Sequence, residues 1–332
     1  MTDQVPTLSP AAQFILTRRI PCAAFAVLIF SAVILGIGLS GNPALAALMS
    51  LVGLALHMLT PALFALVMFG GGLIYALQVA AIAAVAITAI TGFSLISGLV
   101  FLLLYAVLPA VAAAAIGREG GMGRSAQQLA FVLLLATMAA LLTSAAAKGV
   151  DLHTLIEEIV APLFNALTAN IPVGEQAALE AVEQMKTMTV WAFPGFLAFS
   201  LWLVWWMDVL LARRIAVRYG FFRGDHSEML MIRFGKATGI ALIIVTVLAN
   251  ITGGSVQYIA ISIAIMLAGL LALQGVSVAH VWLKARAMQM TLVIMYLLLL
   301  IWSVMILPFI IIGLLDIWFD FRRNMFPANG EE

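Results

Sequence analysis

The chain has 332 residues, a net charge of +1 and one cysteine, Cys22. Hydrophobic residues make up 64% of the chain and charged residues only 9%, a balance that excludes an ordinary soluble globular domain. The near-zero net charge gives no reason to expect nucleic acid as a partner. A single cysteine excludes an internal disulfide and a cysteine-based metal cluster.

The longest apolar stretch runs from Ile20 to Gly117 and contains no Asp, Glu, Lys or Arg. Because about 20 apolar residues in a helix cross the ~30 Å hydrocarbon core of a bilayer, this stretch has room for about four spans. With the later apolar runs it predicts an all-α fold, a polytopic transmembrane helix bundle of about eight or nine spans. The lipid bilayer is therefore the first predicted partner.

Residues 1–19 form an N-terminal segment that ends at Arg18-Arg19, and basic residues beside a short connection favour the cytoplasmic side. We expect the first span, Cys22 to Leu39, to stay in the membrane rather than to be cleaved as a signal peptide. Residues 20–147 are predicted to form a first bundle of about five spans. Helix breaks are expected near Thr60-Pro61, at Gly70-Gly71-Gly72 and near Thr91-Gly92.

Residues 148–189 form a long polar connection with six acidic and two basic residues. This acidic balance favours the extracytoplasmic side of the membrane. The residues from Leu152 to Leu167 are apolar at i, i+3, i+4 and i+7 spacing, which predicts an amphipathic helix lying on the outer face and bent at Pro162.

Residues 190–320 are predicted to form a second transmembrane part of about three to four spans. Its first loop, from Arg213 to Lys236, is strongly basic and therefore predicted to be cytoplasmic. The last apolar run, Ala287 to Leu315, fits one span in length, whereas a hairpin near Pro308 would return the basic C-terminal tail, residues 321–332, to the cytoplasm. The side of the C-terminus stays open.

Polar side chains within apolar spans are candidates for ligand contact, because burying them in hydrocarbon is costly. The candidates in this chain are His57, Gln78, Asn250, Gln257 and Gln274. Structural alternatives exist for each kind of residue. His57 could bond a carbonyl group freed by the break at Pro61, and the glutamines could form hydrogen bonds between helices.

Five further polar residues are predicted to be structural or interfacial: Asp208, His280, Asp316, Asp320 and Arg322. Asp208 lies close enough in sequence to Arg213-Arg214 for an ion pair, and His280 lies near the inner end of its span. If the C-terminal segment is helical, its two aspartates share one face, because they are four residues apart.

Small residues recur along the first two spans, at Ala32, Gly36 and Ser40 and again at Ala46, Ser50 and Gly53. Such spacing lets helix backbones approach closely. The stripes could dock a partner subunit or could pack against each other inside the bundle.

Enzyme signatures are lacking in the sequence, which contains neither a His-Glu-x-x-His zinc helix nor a Gly-x-Ser-x-Gly nucleophile elbow. Its four histidines are scattered along the chain. We therefore expect no catalytic residue, no metal site and no cofactor.

Two segments carry a resemblance to a known family. Leu273-Gln274-Gly275-Val276, and the segment from Gly313 to Arg322 with Asp316, Trp318 and Asp320, resemble the YybS-like family of uncharacterised bacterial membrane proteins. That family is remotely similar to the substrate-binding subunits of energy-coupling-factor transporters. The resemblance implies a small-molecule-binding helical bundle of the bacterial inner membrane that docks on an ATPase-driven module. Those subunits usually have six spans, fewer than are predicted here.

Two functions are therefore considered. The first is a non-enzymatic transport component that binds an unidentified small molecule within its bundle, since broken helices offer main-chain groups to a ligand at membrane depth. The alternative is a scaffold or assembly factor that binds other membrane proteins and transports nothing.

Overall fold

The computed structural model describes residues 8–38, 43–118, 121–172, 175–222 and 232–322. Within these ranges the chain is almost entirely helical and has no strand, which confirms the all-α prediction. Ser40, the residues of the basic loop from 223 to 231 and the tail from 323 onward lie outside the described residues. The helices are α1 Pro10–Thr17, α2 Arg19–Gly38, α3 Pro43–Met58, α4 Thr60–Ile90, α5 Leu95–Val100, α6 Leu108–Ile116, α7 Gly121–Lys148, α8 Leu152–Thr168, α9 Gln176–Arg218, α10 Lys236–Ile251, α11 Gly254–Ala285, α12 Gln289–Ile301 and α13 Ile306–Phe319, with a π-helical segment at Phe101–Val107 and a 3₁₀ turn at Ser303–Met305.

Among the described residues, five helical segments are long and apolar enough to cross a membrane, and two bent helix pairs would raise the number to seven. One bent pair joins α1 to the first part of α2 at 100°, and the other joins α12 to α13 at 116°. The final apolar run is therefore divided just before Pro308. Helix α10 is apolar but shorter than these segments, and it is not counted as a span. The predicted number of eight or nine spans therefore stays a prediction.

The chain folds into two compact units that interleave along the sequence. Unit 1 contains residues 1–129 and 202–226, and unit 2 contains residues 130–201 and 227–332. Helices α7 and α9 contribute residues to both units. The segments predicted from the sequence are defined by where the chain crosses the membrane, whereas these two units are defined by packing. The units therefore do not test the predicted boundaries, which stay predictions.

In unit 1, helix α2 packs against α3 and α4. A Cβ atom added to Gly53 would lie 2.6 Å from the Ala32 carbonyl oxygen, so this approach requires glycine. Gly53 and Ala32 belong to the two small-residue stripes. Their contact favours internal packing over a docking face for a partner.

In unit 2, helix α8 has the amphipathic character predicted from its sequence. It begins at the N-cap Asp151, whose carboxylate accepts hydrogen bonds from the Thr154 amide (3.0 Å) and hydroxyl (2.8 Å). These bonds lower the pKa of Asp151. A buried apolar face holds the helix to the unit, and Lys186 pairs with Glu157 at 2.9 Å. The buried residues of α8 are Leu152, Leu155, Ile156, Val160 and Phe164.

The closest helix packing in unit 2 joins α11 to α13 at two facing glycines. A Cβ atom on Gly275 would overlap the Phe309 carbonyl oxygen, and one on Gly313 would overlap the Leu271 carbonyl oxygen. The two main chains are therefore in direct contact, which no larger residue permits without moving a helix.

This contact predicts a strong glycine requirement. We expect Gly275→Ala to lower the melting temperature of the detergent-purified protein, because overpacking a tight contact costs about 1–3 kcal/mol. The control is Gly253→Ala, where an added Cβ meets no atom within 4 Å. Equal melting temperatures for the two variants would contradict the tight packing of α11 on α13.

Candidate functional site

Helix α4 is interrupted at the predicted glycine break. Gly72 has φ 81° and ψ 169°, a non-helical conformation inside a helix that runs from Thr60 to Ile90. This positive φ is readily adopted only by glycine. The break predicted at Gly70-Gly71-Gly72 is therefore present, and it lies within unit 1.

Two cavities flank this break, and Gly70 and Gly71 line both of them. The larger cavity has a volume of about 700 Å³ and the smaller one about 510 Å³. Both volumes fall in the range of small-molecule sites, ~300–1,000 Å³. The larger cavity is lined by Leu8, Gln13, Leu16, Thr17, Leu66, Val67, Gly70, Gly71, Tyr75, Tyr219 and Phe221. The smaller cavity is lined by Met68, Phe69, Gly70, Gly71, Gly72, Ala113, Gly117 and Phe222.

The two cavities differ in the polar groups that they offer. The larger one combines apolar side chains with the polar groups of Gln13, Thr17, Tyr75 and Tyr219. The Tyr75 hydroxyl donates a hydrogen bond of 2.9 Å to the Leu16 carbonyl, which ties α4 to α1 at the cavity wall. Among the described residues, the smaller cavity is lined by Met, Phe, Ala and Gly, so the polar groups that these residues offer to it belong to the main chain.

The predicted ligand residues of unit 1 do not line either cavity. His57 Nδ1 lies 2.7 Å from the Phe30 carbonyl oxygen and must donate to it, while Nε2 lies 2.9 Å from the Tyr105 hydroxyl. Both ring nitrogens are engaged, which agrees with the structural alternative, although the carbonyl belongs to α2 and not to the break at Pro61. Gln78 lies on the exposed face of α4.

The predicted ligand residues of unit 2 lie at separate positions along α10 and α11. The Asn250 amide donates to the Thr246 carbonyl at 2.7 Å, and the Gln257 amide donates to the Ala249 carbonyl at 3.2 Å. Gln274 is buried further along α11, about 25 Å from Gln257 at 1.5 Å per residue. Within unit 2, Gln257 and Gln274 are therefore too far apart along α11 to contact one small ligand together.

Gln274 belongs to a buried polar cluster, the Asp316 cluster, formed with Asp316 and Arg322. Asp316 Oδ2 accepts hydrogen bonds from Gln274 Nε2 at 2.7 Å and from Arg322 Nη2 at 2.8 Å. Asp316 Oδ1 accepts from the Phe321 amide at 3.0 Å, and Gln274 Oε1 accepts from the Phe234 amide at 2.9 Å. The charges compensate each other within the cluster, which indicates a structural role.

Asp320 and His280, the other polar residues predicted for this part of the chain, also have partners. Asp320 Oδ1 pairs with Arg233 at 2.8 Å at a partly exposed position, and His280 Nδ1 hydrogen-bonds to the Tyr296 hydroxyl at 2.8 Å. Two segments carry the family resemblance, residues 273–276 and residues 313–322. They contact each other in unit 2 through the hydrogen bond between Gln274 and Asp316.

Asp208 in unit 1 is the contrasting case. Its side chain is only 6% exposed, its Oδ2 atom has no hydrogen-bond partner, and it makes no ion pair with Arg213 or Arg214 among the described residues. A buried charge without a partner is far more costly than a paired one.

The two buried aspartates predict opposite effects of neutralisation. We expect Asp316→Asn to lower the melting temperature, because removing one member of a buried ion pair costs about 3–5 kcal/mol. Asp208→Asn should leave the melting temperature unchanged or raise it, since Asp208 Oδ2 has no hydrogen-bond partner among the described residues and the substitution removes a buried carboxylate. Thermal melting of both variants in one detergent tests this contrast, and a larger loss for Asp208→Asn would contradict it.

A π-helical segment, Phe101–Val107, was not foreseen from the sequence. Its hydrogen bonds run from residue i to residue i−5, as shown by the Leu108 amide bonding to the Leu103 carbonyl. The next donor would be residue 109, which is a proline and has no N–H group. The Leu104 carbonyl that it leaves open accepts a bond of 2.8 Å from Trp205 Nε1 instead. Pro109 was the available signal for this interruption.

This bond predicts different roles for two adjacent buried tryptophans. We expect Trp205→Phe to destabilise the protein by about 1–3 kcal/mol beyond its change in volume, because the Leu104 carbonyl loses its donor. Trp206→Phe is the matched control, since Trp206 Nε1 has no hydrogen-bond partner among the described residues. Equal losses of melting temperature would show that the bond contributes nothing.

These features define an integral membrane protein with several apolar helices. One of the helices is broken at a glycine beside two cavities. The model of one protein family, described as "Predicted membrane protein (DUF2232)", matches residues 43–317. The chain therefore belongs to the DUF2232 family of predicted membrane proteins. No curated protein and no solved structure matches the chain significantly.

Proposed function

We propose that this protein is a non-enzymatic component of a membrane transport system that binds a small molecule at the break in helix α4. The observation that carries the proposal is the interrupted helix at Gly72 together with two cavities that are both lined by Gly70 and Gly71. Interrupted helices expose main-chain N–H and C=O groups, and in transporters such groups bind substrates at membrane depth.

The chemistry of the cavity walls supports binding rather than catalysis. A mostly apolar wall with a few hydroxyl and amide groups is the usual composition of a small-molecule site. Within the described residues no group of three or more His, Cys, Asp or Glu side chains could hold a metal ion. The proposal therefore assigns recognition to main-chain groups of the break and to the polar groups of Tyr75, Tyr219 and Gln13.

The setting of this function is also proposed. We place the protein in the bacterial inner membrane with its N-terminus in the cytoplasm, on the basis of Arg18-Arg19 and the basic loop after α9. The similarity to YybS-like proteins and to the substrate-binding subunits of energy-coupling-factor transporters suggests an ATPase-driven module as partner.

One observation favours the alternative, a scaffold that binds other membrane proteins. Helix α8 buries one apolar stripe and exposes a second one, formed by Ile159, Leu163 and Leu167. This stripe could contact lipid or another protein. A scaffold would co-purify with a stoichiometric protein and would show no ligand-dependent increase in melting temperature.

The cavity proposal predicts a specific effect of filling it. An added Cβ on Gly70 makes ordinary contact with the Phe221 ring at 3.7 Å, so Gly70→Leu should extend into the larger cavity without a main-chain clash. We expect native mass spectrometry of protein extracted gently from its own membranes to detect a bound small molecule, and Gly70→Leu to lose it.

The matched control is Ala81→Leu, which adds the same bulk to an exposed position of α4. This variant should retain the bound molecule. A wild-type protein with no small molecule, or a Gly70→Leu variant that retains it fully, would contradict the proposed site.

A further inference from the structure

Unit 1 has a one-sided charge composition. Its described residues include seven arginines but only one acidic residue, Asp208, which is buried inside α9. The arginines are Arg18, Arg19, Arg118, Arg124, Arg213, Arg214 and Arg218. Unit 1 can therefore attract an anion without competition from its own described carboxylates.

Several of these cations lie beside the cavity walls. The Arg213 guanidinium lies over the ring of Phe222, 5.2 Å from its centroid, and Phe222 lines the smaller cavity. The Arg218 guanidinium lies 5.9 Å from the ring centroid of Tyr219, which lines the larger cavity. Arg118 directly follows Gly117, another residue of the smaller cavity.

We infer that the ligand of these cavities is an amphipathic anion, with an apolar body and a phosphate or carboxylate group. This inference rests on the proposed function and names its ligand class. The apolar walls accommodate the body of such a molecule, and the arginines beside them bind its anionic group. Guanidinium groups suit this role, because they pair with phosphate and carboxylate through two parallel hydrogen bonds while their faces stack on aromatic rings.

Membrane topology alone explains why arginines concentrate on one side of a bundle. It does not require them to lie over rings that line a cavity. Arg118 and Arg218 are exposed and make no ion pair among the described residues, so their guanidinium groups are accessible to a ligand. A lipid headgroup with its chains and a soluble amphipathic anion share the same chemistry.

The test uses three probes that distinguish the contribution of the apolar body to binding from that of the anionic group. The probes are 2-naphthyl phosphate, 2-naphthol and inorganic phosphate. The full chain is placed in phosphatidylcholine nanodiscs, and binding is measured by calorimetric titration with empty nanodiscs subtracted. We expect 2-naphthyl phosphate to bind at least about tenfold more tightly than either of the other two probes, a difference of about 1.4 kcal/mol.

Two variants locate the interaction. The double variant Arg118→Gln/Arg218→Gln should weaken binding of 2-naphthyl phosphate by about tenfold or more without changing the melting temperature in the absence of the probe. Arg286→Gln is the matched control, because Arg286 also lies over an aromatic ring, 3.9 Å from the centroid of Trp282, but belongs to unit 2. It should bind as the wild type does.

Nanodiscs that contain phosphatidylglycerol identify the source of the anion. If this anionic lipid weakens binding of 2-naphthyl phosphate, the natural occupant is a lipid headgroup with its chains. If the affinity is unchanged, the occupant is a soluble amphipathic anion. Either result supports the inferred ligand class.

The anion inference is overturned if 2-naphthol binds as tightly as 2-naphthyl phosphate, or if the double arginine variant binds as the wild type does. Neither of these results affects the proposed function, which fails only if Gly70→Leu leaves the natively bound molecule in place or if none is found. The two failures are therefore distinguishable.

Discussion

Main-chain polar groups inside a bilayer have no water to bind, so each interruption of a helix there must be compensated by the protein itself. The bond from Trp205 Nε1 to the Leu104 carbonyl is the clearest case, because Pro109 removes the donor that the π-helical segment would otherwise supply. The Trp205 bond holds this interruption of unit 1 in a defined geometry. The His57 bond to the Phe30 carbonyl is of another kind, because Phe30 lies inside the unbroken helix α2 and the bond ties α3 to it.

The break at Gly72 differs from these compensated sites. Gly70 and Gly71 beside it line two cavities, and the smaller cavity has no polar side chain among its described lining residues. Main-chain groups near this break are therefore available to a molecule that enters the cavity, which is why the break and not a polar side chain defines the candidate site. Arg213 and Arg218 lie over the rings of Phe222 and Tyr219, two residues that line the cavities.

The sequence predicted the all-helical fold, the glycine break and the amphipathic helix α8, because each depends on a local pattern. It could not separate Gln78, which is exposed, from Gln274, which is buried. Helices that are apolar on all sides have no periodicity that marks their inner face. The partners of Gln274 and His57 are distant in sequence, so composition and spacing alone could not assign a structural role to either residue.

The hydrogen bond between Gln274 and Asp316 joins residues that are 42 positions apart. At a synthesis rate of ~5–20 residues per second, the ribosome adds Asp316 about 2–8 s after Gln274. Until then the Gln274 amide nitrogen lacks this acceptor, and leaving it unbonded away from water is costly. The packing of α11 on α13 can therefore be completed only after α13 has been made, so the contact of the two glycines and the Gln274–Asp316 bond form late in synthesis.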